Sequence, residues 1–209
     1  VNKVVATAEK IAAEGVRELV LTGVNIGDFG ILNGETLIEL IWALEKVEGI
    51  HRYRLSSIEP NLLTNEIIYF MAESEKFLPH FHIPLQSGSN KILKAMRRRY
   101  QTDLFAKRIY TVKSVLPDAG IGVDVIVGFP GESDKDFQQT YNFLETIDVS
   151  YLHVFSFSER DHTDAVNISP KVKPETILER SQILQGLSDE KKNKFYKQNV
   201  GSVREVLIE

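Results

Sequence analysis

Two histidines at period two, His80 and His82, share one face of any strand that carries them. With Asp124 and His153 further along, they supply the nitrogen and oxygen donors of a divalent-metal site. That set would make the chain a metal-dependent hydrolase. The opposed reading puts His80 in a loop and His82 in a core hydrogen bond. A second candidate is basic. Between Lys91 and Lys113 stand eight Lys or Arg and one Asp, a net of +7 in a chain whose total is −4. Arg97, Arg98 and Arg99 are consecutive, Tyr100 follows, and Lys107 and Arg108 lie beyond. A basic cluster beside an aromatic suits phosphate contact and base stacking, the chemistry of RNA binding, with or without catalysis. Its plain alternative is a solvated helix face. One of these arginines could instead turn inward and grip a carboxylate.

Other chemistries are excluded by composition. The 209 residues contain no cysteine, so the chain itself forms no disulfide, no thiolate metal site and no cysteine nucleophile. It has no phosphate-loop pattern, no Gly-x-Gly-x-x-Gly, no His-Glu-x-x-His and no Gly-x-Ser-x-Gly elbow. Apolar residues make up 43% and charged residues 26%, which fits a soluble core of one domain and a small remainder. No apolar run approaches the roughly 18 residues of a membrane span, and no signal peptide is present, so a cytoplasmic protein is expected.

The candidate residues must be positioned by alternating elements. Short apolar runs at Leu19 to Val24, Tyr53 to Ile58, Phe81 to Gln86, Ile121 to Phe129 and Tyr151 to Phe157 predict five strands. Helical periodicity predicts helices between them. Thr36 with Glu39 and Ser133 with Asp136 form capping boxes, Thr64 caps a helix, and Pro174 opens a long one reaching about Gln198. Val203 to Ile208 predicts a further short strand. Strand and helix in alternation imply right-handed crossovers and a parallel sheet. Five strands fall short of the full eight-fold barrel, which takes about 250 residues, so the sheet is a partial barrel or an open doubly wound one.

Alternation along the strands gives more. Ile121, Val123, Val125, Val127 and Phe129 form a bulky set suited to the helix layer. Gly122, Asp124, Ile126 and Gly128 form a small set, and His82, Pro84 and Gln86 share one face of their strand. Small and polar inward positions imply a ligand cavity rather than a filled interior. In parallel α/β folds the site lies at the carboxyl ends of the strands. Those ends are Thr22-Gly-Val-Asn25, Ser56-Ser-Ile-Glu59, Gln86-Ser-Gly-Ser89, Gly128-Phe-Pro-Gly-Glu132 and Phe157-Ser-Glu-Arg160, all small or polar.

Taken in order, Leu21-Thr-Gly-Val-Asn25, Ile83-Pro-Leu-Gln-Ser-Gly-Ser89, Met96-Arg-Arg-Arg-Tyr100, Asp124-Val-Ile-Val-Gly-Phe-Pro-Gly-Glu132 and Phe157-Ser-Glu-Arg160 carry a resemblance. The chain resembles the radical S-adenosylmethionine methylthiotransferases, and most of all those that act on threonylcarbamoyladenosine at position 37 of tRNA. The resemblance implies a partial (β/α)6 barrel and, in the parent protein, 4Fe-4S clusters held by cysteines. It also implies reduction of S-adenosylmethionine to a radical that abstracts hydrogen, with tRNA and a reducing electron donor as partners. By this resemblance Thr22, Gly23 and Asn25 approach the methionyl part of the cofactor, Ser56 and Glu59 form the next rim, and Gln86 and Ser87 lie near the ribose. Val127, Gly128 and Phe129 back the adenine, and Asp124 faces the same interior. Arg97 to Arg99 are candidates for the methionyl carboxylate or for RNA phosphate, and Arg98, Arg99, Tyr100, Lys107 and Arg108 form the expected RNA surface. After Arg160 the family's short Gly-Thr turn is replaced by Asp161-His-Thr163. Because Val1 takes the place of an initiator Met, a cropped chain is expected, without the first barrel strand, the cluster loop and the N-terminal domain. The expected division is a truncated core barrel at 1–170, a long helix of the core at 171–200, and the start of an RNA-binding domain at 201–209. Such a fragment is expected to be inactive alone.

Overall fold

The computed structural model describes residues 1–159, 163–204 and 206. Twelve main elements follow one another: α1 (Asn2–Ala13), β1 (Glu18–Leu21), α2 (Leu37–Glu45), β2 (Arg52–Leu55), α3 (Asn65–Glu73), β3 (His80–His82), α4 (Asn90–Ala95), α5 (Thr102–Val115), β4 (Gly120–Val127), α6 (Asp134–Thr146), β5 (Tyr151–Ser156) and α7 (Pro174–Asn199). The helix starts are set locally. Thr36 Oγ1 accepts from Glu39 N while Glu39 accepts from Thr36 N at 2.8 Å, and Ser133 and Asp136 repeat the exchange at α6. Thr64 Oγ1 accepts from Ile67 N, and Pro174 occupies the first turn of α7. A side-chain cap of this kind stabilises a helix start by about 1 kcal/mol.

Every strand pairing is parallel, β1 with β2 and β3 with β4 with β5. The two sheets meet where Ile58 N donates to His82 O at 3.0 Å and Tyr53 bridges Phe77. Strand order therefore follows chain order. Among the described residues β1 and β5 are not paired with each other, so the sheet is an open, partial barrel. The alternation read from β4 holds: Ile121, Val123, Val125 and Val127 are fully buried under the helices, while Asp124 and Ile126 on the other face keep some exposure. Leu44 of α2, Ile68 of α3, Phe105 of α5, Leu144 of α6 and Leu184 of α7 complete that outer core. Each such side chain contributes about 2 kcal/mol of burial.

The strands are shorter than their apolar runs. β1 stops at Leu21 because the chain turns into a short helical turn at Ile26–Asp28. β3 stops at His82: Pro84 has no N–H to donate, and Leu85 N and Gln86 N both reach Asp124 O, at 3.1 and 2.8 Å. Two residues facing one make a bulge, and Gln86 sits in it at φ +70°. The expected strand at Val203 to Ile208 is not formed at 203, 204 or 206, and its other residues lie outside the described ones. Arg160, Asp161 and His162 lie outside them too, so the expected rim turn there is not described. No helix among the described residues is long and apolar enough to cross a membrane.

Candidate functional site

The carboxyl ends of the strands carry an unfilled rim. Thr22 and Gly23 are exposed after β1. Asn25 Nδ2 donates to Asp28 Oδ2 at 2.6 Å, but Asn25 Oδ1 is buried without a partner. After β2, Ser56 Oγ is buried and unpartnered as well. After β4, Gly128 adopts φ +81°, and a Cβ there would stand 2.4 Å from Ile177 Cγ1 of α7, so only glycine fits. Gly128 N donates to Glu132 Oε2 at 2.8 Å. The Arg180 guanidinium of α7 donates to the same oxygen at 2.6 Å, with both side chains almost wholly buried. Burial pushes the Glu132 carboxyl above its ordinary range, and the Gly128 N–H and the Arg180 charge partly offset that. This latch fixes the Gly128-Phe-Pro-Gly-Glu132 loop from behind.

In front of the loop is a cavity of about 350 Å³ walled by Met96, Arg98, Ile126, Phe129, Phe157 and Ile168. Phe129 and Phe157 meet edge to face at 5.3 Å. A second hollow of about 390 Å³ shares Ile126 and Phe157 with it and extends over Phe155 and Ser158. A larger hollow, about 590 Å³, is lined by α7 residues alone, such as Glu190 and Lys194, and no strand-end residue reaches it.

Arg98 enters the rim through the end of α4. Arg97 N donates to Lys94 O and Arg98 N to Leu93 O, the paired bonds of a Schellman turn. Arg97 holds the left-handed position, φ +56°, that glycine usually takes. The turn throws Arg97 outward to Asp164 at 2.7 Å and Arg98 inward to Glu59 at 3.0 Å. Arg98 Nε remains buried without a partner. Several expected roles are corrected here. Arg98 pairs with Glu59 and borders the cavity, so it is not part of the outward basic surface expected from the sequence. Tyr100 is buried and its hydroxyl donates to Pro84 O at 2.8 Å, so its ring cannot stack on a base; burial raises its phenol above the ordinary range. Arg108 ties α5 to Pro60 O at 3.1 Å and to Asn65 Oδ1. Arg99 and Lys107 alone of the expected RNA set stay exposed and without such a role.

Three cofactor assignments also move. Ser87 is wholly buried and bonded to Thr140 Oγ1 at 3.2 Å, so it holds α6 rather than a ligand. The Val127 side chain lies in the outer core, away from the cavity wall. Asp124 does not wall the cavity either; it meets His82 Nε2 at 2.7 Å. Behind the rim Asp136 caps α6. Burial alone would raise its carboxyl, but Lys91, Ser133 and Ser89 donate to it and hold it far below the usual carboxylate range.

The latch was missed in the sequence, although one signal was there. Ile177, Arg180, Leu184 and Leu187 keep helical spacing, so Arg180 occupies an apolar register and must find a buried partner. Of the four proposed metal ligands, His82, Asp124 and His153 converge, whereas His80 Nε2 turns to the Tyr151 hydroxyl at 2.8 Å.

Asn25 Oδ1 and Ser56 Oγ stay unpartnered after β1 and β2, while the hollow itself has an aromatic wall with the unpartnered Arg98 Nε at its edge, a lining that suits a flat ring with an anionic tail. An iron–sulfur cluster has no fit here, because the chain has no thiolate to hold one.

The sequence profile of the Radical SAM superfamily matches residues 1–144. The chain belongs to that superfamily. It is 40% identical over 207 residues to threonylcarbamoyladenosine tRNA methylthiotransferase MtaB of Aquifex aeolicus, covering 99% of this chain and 50% of that protein. The Bacillus subtilis protein of the same name is 39% identical over 210 residues, covering all of this chain and 47% of its own length. The chain thus spans about half the length of the curated relatives it matches. Among solved structures, Escherichia coli coproporphyrinogen III oxidase (HemN), a radical SAM enzyme, superposes with a TM-score of 0.68 at 13% identity, over 91% of this chain and 46% of that one. That likeness is one of fold: a parallel α/β half-barrel.

Proposed function

We propose that this chain is the S-adenosylmethionine-binding core of a methylthiotransferase that modifies an adenosine of tRNA, of the threonylcarbamoyladenosine type. The observation that carries the reading is similarity to MtaB proteins along essentially the whole chain, at 40 and 39% identity. The cavity at the strand ends is consistent with it. When bound and reduced, S-adenosylmethionine supplies one-electron hydrogen abstraction from an unactivated carbon. This chain's own part is binding and exclusion. Phe129 and Phe157 offer an apolar wall for the adenine, and the Gly128 turn lets backbone approach it. Arg98, half-buried at the cavity wall, supplies a positive charge suited to the methionyl end, and Asn25 and Ser56 add unpartnered polar atoms at the ends of β1 and β2. Excluding water there protects a reactive species from quenching.

The remaining assignments follow the same reading. Residues 1–170 form the core and 171–200 its closing helix, while 201–209 lead toward an RNA-binding domain. The cluster cysteines belong to the rest of the parent protein, the electron donor is separate, and the setting is the cytoplasm. The test uses the full-length parent gene in cells lacking it, with nucleosides of digested tRNA read by mass spectrometry. A gain of methylthio mass on threonylcarbamoyladenosine is expected, and Arg98→Met should abolish it. An unchanged nucleoside profile with soluble, cluster-loaded protein would refute the reading.

A further inference from the structure

Period-two alternation sends His82 of β3, Asp124 of β4 and His153 of β5 to the inner face of the sheet. Register completes the arrangement, since Asp124 pairs with His153 while His82 pairs with Gly122 one step earlier. Three adjacent strands thus present three metal-capable side chains at one level. Their donor atoms all lie within 4.8 Å of one another, and His82 Nε2 to Asp124 Oδ1 is 2.7 Å. The His82 and His153 rings are 5.2 Å apart.

We propose that His82, Asp124 and His153 form a binding site for one zinc-type divalent cation, at a level below the cofactor cavity and independent of the activity proposed above. Two imidazole nitrogens and one carboxylate oxygen are borderline donors that suit zinc, and three protein ligands leave a fourth position open. A tetrahedral ion with bonds of about 2.0–2.2 Å needs donors about 3.3 Å apart. The His82–Asp124 pair, at 2.7 Å, meets that by opening about 0.6 Å. His153 is exposed and turns in at little cost. The layer beneath is closed: a Cβ on Gly122 would stand 2.5 Å from the Tyr151 ring, so that ring fills the gap and holds His80. His80 is thereby kept out of the set, which separates this site from the four-ligand arrangement of a hydrolase.

The experiment is direct because no cysteine competes for the ion. The 209-residue chain is stripped with chelator and titrated with zinc chloride by equilibrium dialysis and calorimetry. One zinc per chain is expected. His153→Gln and His82→Gln should each weaken binding by about 100-fold or more, since even the outer partners of a ligand are worth 10- to 100-fold. His51→Gln, on an exposed histidine beside Arg17, should leave it unchanged. Co²⁺ in place of Zn²⁺ should give visible d–d bands that His153→Gln alters. If His82→Gln loses its fold by circular dichroism, the surface change His153→Gln decides alone. Absence of saturable binding, or binding that survives the loss of His153, overturns the proposal and leaves His82–Asp124 as an ordinary interior hydrogen bond.

Discussion

Replacing Arg180 by Met tests whether the loop after β4 is held by a buried charge pair. The Glu132 side chain is 1% exposed and the Arg180 side chain 5%, so neither is screened by water. Removing the cation leaves a carboxylate buried with only the Gly128 N–H to answer it. Breaking such a pair costs about 3–5 kcal/mol. Taking a urea slope of about 2–3 kcal/mol/M for a chain of this length, the midpoint of unfolding should fall by roughly 1–2 M. The pH dependence has a fixed sign. Glu132 is an acid whose folded pKa lies above its unfolded one, so the stability it gives is present below the unfolded value, near 4.5, and is lost as pH rises through the folded value. Without Arg180 that folded value climbs further. The deficit of Arg180→Met should therefore be larger at pH 8 than at pH 5, and should shrink in a Glu132→Gln background. Urea melts at both pH values, in wild type, both single variants and the double variant, provide the assay. Equal deficits at pH 5 and 8, or an undiminished deficit in the Glu132→Gln background, would show that Arg180 contributes packing on Phe137 and not charge compensation.

Four further outcomes are expected. Gly88→Ala places a Cβ 2.6 Å from Thr140 Cα, forcing α6 away from the β3 rim, and should lower stability by about 1–3 kcal/mol in a thermal melt. Arg97→Gly relieves the left-handed strain of a residue whose side chain is exposed, and should raise stability by about 1 kcal/mol; a loss would show that the Asp164 contact outweighs the strain. Asp136 titrates far below its ordinary 3.8, so its stabilisation is present above that pH and fades as pH falls toward the folded value; Asp136→Asn should be less stable at pH 7 and flatten the acid limb of the stability profile. Charge reversal at Arg99 and Lys107 should weaken tRNA binding by the parent protein and reduce its salt slope by about 1 per lost phosphate contact, whereas an unchanged slope would remove α5 from the RNA interface.

Local rules made much of this fold readable in advance. The capping boxes at Thr36 and Ser133 need only residues three apart, and both formed. The bulky and small faces of β4 follow from a period of two, and the bulky residues are buried, Phe129 among them although it packs on Phe157 at the rim. What escaped was longer in range. Glu132 and Arg180 are 48 residues apart, and nothing local joins them. Tyr100 follows three arginines, yet the turn ending α4 rotates it under Pro84. The basic segment looked like one surface because charge was counted by position. In three dimensions its members disperse, with Lys91 on Asp136, Arg97 on Asp164, Arg98 on Glu59 and Arg108 on Asn65. Small, polar strand ends were legible; that the cavity is walled from the ends of β4 and β5 and the turn after α4 depended on tertiary packing.

Neighbour-to-neighbour strand order has a consequence for synthesis. Each strand emerging from the ribosome finds its mate already made, so the sheet can grow by accretion from β1 onward. Glu132, like Leu152 of β5 with its bonds to Ser188, must wait until α7 has been translated before its partner arrives. A nascent chain halted before that helix would carry an acid with no counter-charge, and the loop it tethers would be the last part of the rim to take its final shape.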